Sequence, residues 1–146
     1  MEGYELLAVA GLMFVCVAIQ ALILTTVQRR SGELVALWQT HRSFGAQILM
    51  VYAVILIVVL IHLLQAGVWA AFFHWVVGIR PWHDAYYHSI LSLTTMDDSS
   101  GVLPERWRLL GAAEGLLGWI VFSWSTAAIF MFLTSLRDRA EQGEGH

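Results

Sequence analysis

Residues 82–104 read WHDAYYHSILSLTTMDDSSGVLP and lie between two long apolar runs. The first part, up to Thr95, is predicted to be a helix of about 14 residues. At a rise of about 1.5 Å per residue this helix is too short to cross a hydrocarbon core of about 30 Å. From Met96 to Pro104, turn-forming residues predict an irregular segment, which carries the adjacent carboxylates Asp97 and Asp98. The fold prediction depends on this half-length helix and the acidic segment after it.

Three apolar runs lie outside this stretch, and each is long enough to cross a membrane. One precedes it at residues 43–79 and has no formal charge, one follows at about 107–136, and a third lies earlier, at 6–27. Over the whole chain 58% of the residues are hydrophobic and 13% are charged, whereas a soluble domain usually has about a quarter charged residues. We therefore expect an all-α membrane protein with three transmembrane helices.

The run at residues 43–79 is longer than one perpendicular span of about 20 residues, and two interpretations are open. Either the span proper ends at Leu64 and the run is divided at Gly67, or one long, tilted helix projects beyond the membrane. Pro81 is expected to break the helix, because proline disfavours helical geometry in the residue before it. We expect a polar linker through Arg42 after the first span and a frayed polar tail after the last.

The arginines indicate the orientation, because cytoplasmic loops carry an excess of basic residues. Five of the eight arginines follow the first or the last span: Arg29, Arg30, Arg42, Arg137 and Arg139. They predict a multi-pass protein of the plasma (inner) membrane with its N-terminus outside and its C-terminus in the cytoplasm. The short helix then enters from outside. The net charge of −3 and the absence of a basic run argue against a nucleic-acid partner.

The two adjacent carboxylates are the first candidate site. Irregular backbone at membrane depth is tolerated only where it is buried in protein or lines a water-filled path. Carboxylates there are costly unless they meet water or a cation, and rings of acidic side chains attract cations in channels. The alternative for Asp97 and Asp98 is an ordinary acidic turn between helices.

Four short motifs connect this stretch to a known family. They read DAYYHS at 84–89, LTT at 93–95, WRLLG at 107–111 and EGLLG at 114–118. From Trp82 to about Leu136 the chain resembles the pore domain of the prokaryotic potassium-channel family, which has an outer helix, a pore loop and an inner helix. With the second span, the resemblance covers about two thirds of the chain. The first span is an addition that such two-span channels lack.

The filter of this family departs from its usual form here. Potassium channels carry Thr-Val-Gly-Tyr-Gly, whose carbonyls replace the water of the ion, but residues 95–99 read Thr-Met-Asp-Asp-Ser. This stretch is similar to the Thr-Leu-Asp-Asp-Trp-Ser filter of calcium-selective bacterial voltage-gated channels. The resemblance implies a selectivity filter with metal-binding Asp97 and Asp98, made of Thr94, Thr95, Met96, Asp97, Asp98 and Ser99. Oxygen-rich sites of this kind suit calcium.

The resemblance implies a homotetrameric channel for passive cation transport in the lipid bilayer. We expect permeation of calcium or poor selectivity, with Ca²⁺, Na⁺ or K⁺ as the ions in the pore and no cofactor. The alternative is a non-conducting protein with the channel fold that serves as a subunit, scaffold or ion-binding sensor. The implied segments are an N-terminal helix and linker (1–42), a pore domain (43–136) and a tail (137–146). Within the pore domain these are the outer helix 44–78, pore helix 82–95, filter 95–101 and inner helix 107–136.

Polar and small residues of the last span give further expectations. Glu114 is interpreted as a buried structural partner of Ser, Tyr or His groups of the short helix, with a vestibule charge as the alternative. Gly118 either permits close packing or acts as a hinge of the inner helix. Ser123, Ser125 and Thr126 line the inner pore or bond back to their own helix.

An enzyme is not expected. His83 and His88 lie about 140° apart on a helix and do not share a face. The sequence has no helical histidine pair, phosphate loop or nucleophile elbow.

Overall fold

The computed structural model describes residues 3–38, 44–96 and 103–144, and these ranges are helical with no strand. Helix α1 spans Gly3–Trp38, and α2 spans Phe44–Phe72 and continues as a π-helical turn over Phe73–Val77. The short helix α3 spans Trp82–Leu93. A 3₁₀ turn at Glu105–Trp107 leads into α4, which spans Arg108–Glu144.

Three of these helices contain segments that are long and apolar enough to cross a membrane: Gly3–Arg30, Ile48–Val77 and Glu105–Ser135. The prediction of an all-α chain with three such helices is confirmed. The chain is therefore described as a multi-pass membrane protein.

The predicted division of the second run at Gly67 is wrong, because α2 passes through this residue without a break. A Cβ atom placed on Gly67 would lie 3.6 Å from Cε2 of Tyr86. The glycine therefore stands at a contact with α3 and not at the end of a helix.

The end of this helical segment lies before Pro81, at Gly78. Gly78 has a φ of 92°, a left-handed conformation that glycine adopts without steric cost. Its N–H and that of Ile79 both donate to the carbonyl of Phe73, at 2.9 and 3.0 Å. A glycine of this kind commonly ends a helix, so the predicted end at residue 78 agrees with the structure, although Gly78 ends the helix before Pro81 is reached.

The two predicted polar ends are helical over most of their length. Helix α1 continues to Trp38, and α4 continues to Glu144. The linker therefore begins later than expected, and residues 39–43 of it lie outside the described ranges, whereas the fraying of the tail stays a prediction. Neither segment contains proline, and extending an existing helix by one residue costs far less than starting a new one.

Helix α3 packs against both α2 and α4, whereas α1 packs against α4 and α2. The main core holds apolar side chains of all four helices and the 3₁₀ turn, including Cys16, Trp69, Ala85, Trp107 and Leu117. A smaller core further along the helices contains Leu24, Val58, Ile61 and Ala128.

Helices α1 and α4 run in the same direction. Tyr4 contacts Trp107 near the start of each helix, with ring centroids 6.2 Å apart. Gln20 contacts Ser125 about halfway along. The ends that carry Arg30 and Arg137 therefore lie on the same side of the helix bundle.

Candidate functional site

Two hydrogen bonds attach α3 to the backbone of α2. The hydroxyl of Tyr86 donates to the carbonyl of Leu63 at 2.9 Å, and the hydroxyl of Ser89 lies 2.8 Å from the carbonyl oxygen of Ala66. Tyr86 and Ser89 are three residues apart and share one face of the short helix. That face is thereby fixed against α2.

Glu114 of α4 contacts the same face of α3. Its side chain is fully buried, and its Oε1 is 2.5 Å from the Ser89 hydroxyl. A serine of the short helix was one of the partners expected from the sequence. The buried side chain does not face an open vestibule in this chain. One serine therefore contacts α2 and α4 at the same time.

The C-terminal end of α3 closes in a tight turn. The N–H of Thr95 donates to the carbonyl of Ser92 at 2.9 Å, and the N–H of Met96 donates to that of Leu91 at 2.8 Å. This is the Schellman pattern, whose left-handed position is usually a glycine. Here Thr95 occupies it with a φ of 59°. A left-handed conformation costs a non-glycine residue about 1–2 kcal/mol, so the turn is strained.

Two glycines of α4 lie against this turn. A Cβ atom on Gly118 would be 1.9 Å from the carbonyl oxygen of Leu93, and one on Gly115 would be 3.2 Å from that of Ser92. The Gly115 Cβ would also lie 3.4 Å from the methyl carbon of Thr95. Close packing of Gly118 is confirmed and Gly115 packs in the same way, whereas a hinge at Gly118 stays a prediction.

An open cavity of about 750 Å³ lies beside the end of α3. We call its wall the cavity face; it includes Thr94, Thr95, Trp119, Ser123, Thr126 and Phe130. The hydroxyl of Ser123 donates to the carbonyl of Trp119 at 2.7 Å, and that of Thr126 donates to Phe122 at 2.9 Å. Bonding back to their own helix is therefore confirmed for both residues, whereas a position along an inner pore stays a prediction.

Ser125 does not line the cavity, and the expectation that it lines the inner pore was wrong. It is buried on the opposite side of α4, 2.7 Å from Nε2 of Gln20 and 3.3 Å from Nε2 of His62. On a helix, positions 123 and 125 lie about 200° apart. The sequence does not show which of these two positions faces the neighbouring helices.

Ser125 belongs to a buried set that sequence reasoning missed. We call Gln20, His62, Gln65 and Ser125 the polar network. Gln65 Nε2 donates to the carbonyl of Cys16 and to Oε1 of Gln20, both at 3.1 Å. Gln20 Nε2 donates in turn to the carbonyl of Val121 at 3.3 Å and to Ser125. The network joins α1 to α2 and α4.

A signal for this network was present in the sequence. Gln20 is the strongly polar residue of the first apolar run, and His62 and Gln65 are three residues apart in the second. Residues at this spacing share a helix face, and polar side chains within spans hydrogen-bond across helices. The pattern could have predicted contacts among three helices, although not which residue of α4 completes them.

Only part of the predicted filter lies in the described residues. Thr94, Thr95 and Met96 form the end of α3 and the closed turn, whereas Asp97, Asp98 and Ser99 lie outside the described ranges. Within those ranges, no group of three or more His, Cys, Asp or Glu side chains could hold a metal ion. A carboxylate site for a cation therefore depends on the acidic pair itself.

The chain matches no protein-family model, no curated protein and no solved structure. What its fold defines is an all-helical, multi-pass class of membrane protein in which a short helix packs against two long ones. Any narrower function has to be argued from the geometry at the end of that short helix.

Proposed function

We propose that this protein is a pore-loop cation channel in which α3 is a re-entrant pore helix and Asp97 and Asp98 form the charged part of the filter. One observation carries the proposal. Helix α3 has 12 residues, or about 18 Å of length, and packs against two membrane-length helices. It ends beside an open cavity, and three residues separate its last residue from the acidic pair.

Several copies of the chain are needed to close such a pore. The cavity is open on one side, and its wall includes the exposed hydroxyl residues Ser123 and Thr126. Closed rotational symmetry is the usual arrangement of identical chains, and the potassium-channel resemblance implies four. A tetramer would surround one axis with eight carboxylates, two from each chain.

The closed turn after α3 supports selection by carboxylates. Thr95 and Met96 donate their N–H groups back to α3, whereas a ladder of backbone carbonyls needs a chain that leaves the helix in an extended form. The C-terminal end of a helix also carries a partial negative charge that favours cations. We therefore propose a divalent-permeable or poorly selective channel and not a potassium-selective one.

The proposed orientation has the N-terminus outside and the C-terminus in the cytoplasm. It is supported by the shared direction of α1 and α4, which brings Arg29, Arg30 and Arg137 to one side. A membrane-impermeant thiol reagent tests it on Ser31→Cys and Ser99→Cys in a Cys16→Ala background. Outside reagent should modify the second variant and spare the first, and the reverse result overturns the orientation.

Ion flux through purified protein in liposomes tests the function. Wild-type protein should conduct cations, and the flux should respond to calcium. The double variant Asp97→Asn with Asp98→Asn keeps side-chain size and removes the charges, so it should lose calcium permeation or calcium block. Asp84→Asn is the matched control, because it makes the same chemical change in the first turn of α3.

Native mass measurement in detergent and in nanodiscs should give a tetramer for all three proteins. A monomer or dimer would overturn the proposed assembly, and a flux no higher than that of empty liposomes would overturn conduction. Unchanged calcium sensitivity in the double variant would show that Asp97 and Asp98 belong to an ordinary turn and do not select ions.

The strained closed turn at Thr95 also fits a second candidate. A non-conducting protein with the same fold could hold a cation at Asp97 and Asp98 without an open path behind them. Calcium binding by the wild type that is lost in the double variant, with no flux from either protein, would favour this candidate.

A further inference from the structure

We propose that Gly118 is a positioning residue for the candidate filter. In this reading its missing side chain lets α4 touch the last turn of α3, and the contact fixes where Thr94, Thr95 and Met96 lie. The competing interpretation is a hinge, in which Gly118 bends α4 and has no direct effect on α3. The two interpretations predict different labelling rates at position 96 and different ratios of divalent to monovalent flux.

The contact at Gly118 is between backbones. A Cβ atom there would be 1.9 Å from the carbonyl oxygen of Leu93, 2.9 Å from its carbonyl carbon and 3.4 Å from its Cα. A flexible side chain could rotate away from such a clash, but a helical carbonyl cannot. Any residue larger than glycine must therefore displace α3 or α4.

Helix α3 is also held by α2. Tyr86 bonds to the carbonyl of Leu63 and Ser89 contacts the carbonyl of Ala66, so these contacts oppose a displacement of this part of α3. The two residues are the fifth and the eighth of the 12 residues of α3, whereas Gly118 touches the last, Leu93. A Cβ at position 118 should therefore displace the end of α3 more than its start.

The residues after Leu93 would follow this displacement. Leu91 and Ser92 accept the hydrogen bonds that close the turn at Thr95 and Met96. Thr95 is already in a strained left-handed conformation beside Gly115. A turn that depends on such close neighbours has little freedom to absorb a shift, so the entry to the acidic pair should move with the end of α3.

The experiment measures the chemical accessibility of position 96. Met96 is 77% exposed, so Met96→Cys in a Cys16→Ala background gives one reactive thiol. Cys16→Ala keeps the backbone carbonyl that Gln65 contacts. The reaction rate with a charged thiol reagent is compared with and without Gly118→Ala. We expect a change of about fivefold or more, because overpacking against a fixed backbone typically shifts local equilibria by this factor or more.

Two other glycines supply graded controls. Gly11→Ala lies in α1 with nothing within 4 Å of the added carbon, and the rate should not change. Gly115→Ala meets the Ser92 carbonyl at 3.2 Å, which needs only a small shift, and the rate should change less than with Gly118→Ala. Gly115→Ala also keeps the test decisive if Gly118→Ala does not fold. Equal rates in all the folded variants overturn the inference.

Flux measurements separate positioning from hinge bending. The part of the inference that concerns ion selection rests on the channel function proposed above. A positioning role predicts that Gly118→Ala changes the ratio of divalent to monovalent flux. A hinge role predicts that both fluxes change by the same factor and that the labelling rate is unchanged. If no variant conducts, the channel proposal fails, but the labelling rates still decide the positioning role.

Discussion

The polar network and the cavity face contain similar chemical groups in opposite arrangements. In the network, side chains of α1, α2 and α4 bond to one another across helices, and Gln20, Gln65 and Ser125 are almost fully buried. On the cavity face, the hydroxyls of Ser123 and Thr126 bond only to carbonyls four residues earlier in their own helix, and both residues are exposed. Polar residues thus connect the helices in the polar network, whereas on the cavity face they form a surface that water can contact.

Ser123 and Ser125 show this difference within one turn of α4. Ser123 bonds back to its own helix, whereas Ser125 contacts side chains of α1 and α2. A bond across helices is lost when either partner is removed, so it contributes to the free energy of unfolding. A bond back to the same helix is available in almost any packing, so it contributes little to that free energy. The substitutions below are ordered by the expected size of their effect on stability.

Gln20→Leu should be the most destabilising of them. It removes the donor to Val121 and Ser125 and the acceptor for Gln65, and each buried polar group left unsatisfied costs about 1–3 kcal/mol. Unfolding in mixed micelles should show the loss. Thr26→Val is the control, because Thr26 bonds only to Leu22 of its own helix, and its stability should stay within about 0.5 kcal/mol of wild type.

Ser89→Ala should destabilise the protein by about 1–2 kcal/mol, because it removes the hydroxyl between the Ala66 carbonyl and the buried Glu114 carboxyl. The same unfolding assay measures this loss. The double variant Ser89→Ala with Glu114→Leu removes both polar groups and should be more stable than Ser89→Ala alone. Additive losses in the double variant would show that the two residues are not coupled.

Ser125→Ala and Ser123→Ala test the comparison directly. The first should lose about 0.6–1.7 kcal/mol, the range of hydrogen bonds between membrane helices, because it breaks contacts with Gln20 and His62. The second should unfold like the wild type but change the cation flux, because its hydroxyl faces the cavity. Equal stability of the two variants would remove the distinction between the regions.

Among the substitutions that should change stability, Thr95→Gly should have the smallest effect, and in the stabilising direction. Glycine removes the left-handed strain of about 1–2 kcal/mol, but a glycine loses about 0.5–1 kcal/mol more backbone entropy on folding than a residue with a side chain. The expected net gain is about 0.5 kcal/mol. A clear loss of stability in the same unfolding assay would mean that the threonine methyl packed beside Gly115 contributes more than the strain costs.

The sequence predicted the number and type of the helices because lengths and charges alone decide them. Apolar runs longer than 20 residues with few or no charges define three spans, and 12–14 residues before an acidic segment define a short helix. The ends at Trp38 and Glu144 were missed because a polar segment that continues an existing helix resembles a loop in composition. Gly67 was misread because a glycine in a contact with another helix looks the same as a helix terminator.

In the candidate site, the sequence predicted the position of a residue only where the chemistry of its own side chain determines that position. Glu114 has to be buried with a partner, and Ser89 supplies it. Ser125 was assigned to the wrong side because the packing of α1 decides which face of α4 is buried, and that packing depends on Gln20, more than 100 positions away in the chain. Gly118 was left open between packing and bending because the sequence does not contain the distance to Leu93 that shows the close packing.

The length of α4 has a mechanical consequence. The helix has 37 residues and is about 55 Å long, far more than the 30 Å or so of a hydrocarbon core. It packs in the smaller core as far as Ala128 and Ile129, and from Ile129 to Glu144 it extends about 22 Å further. A tilt of about 10° around Ile129 moves the polar end by about 4 Å. The C-terminal part of α4 can therefore change direction while Gly118 keeps its contact with the turn before the acidic pair.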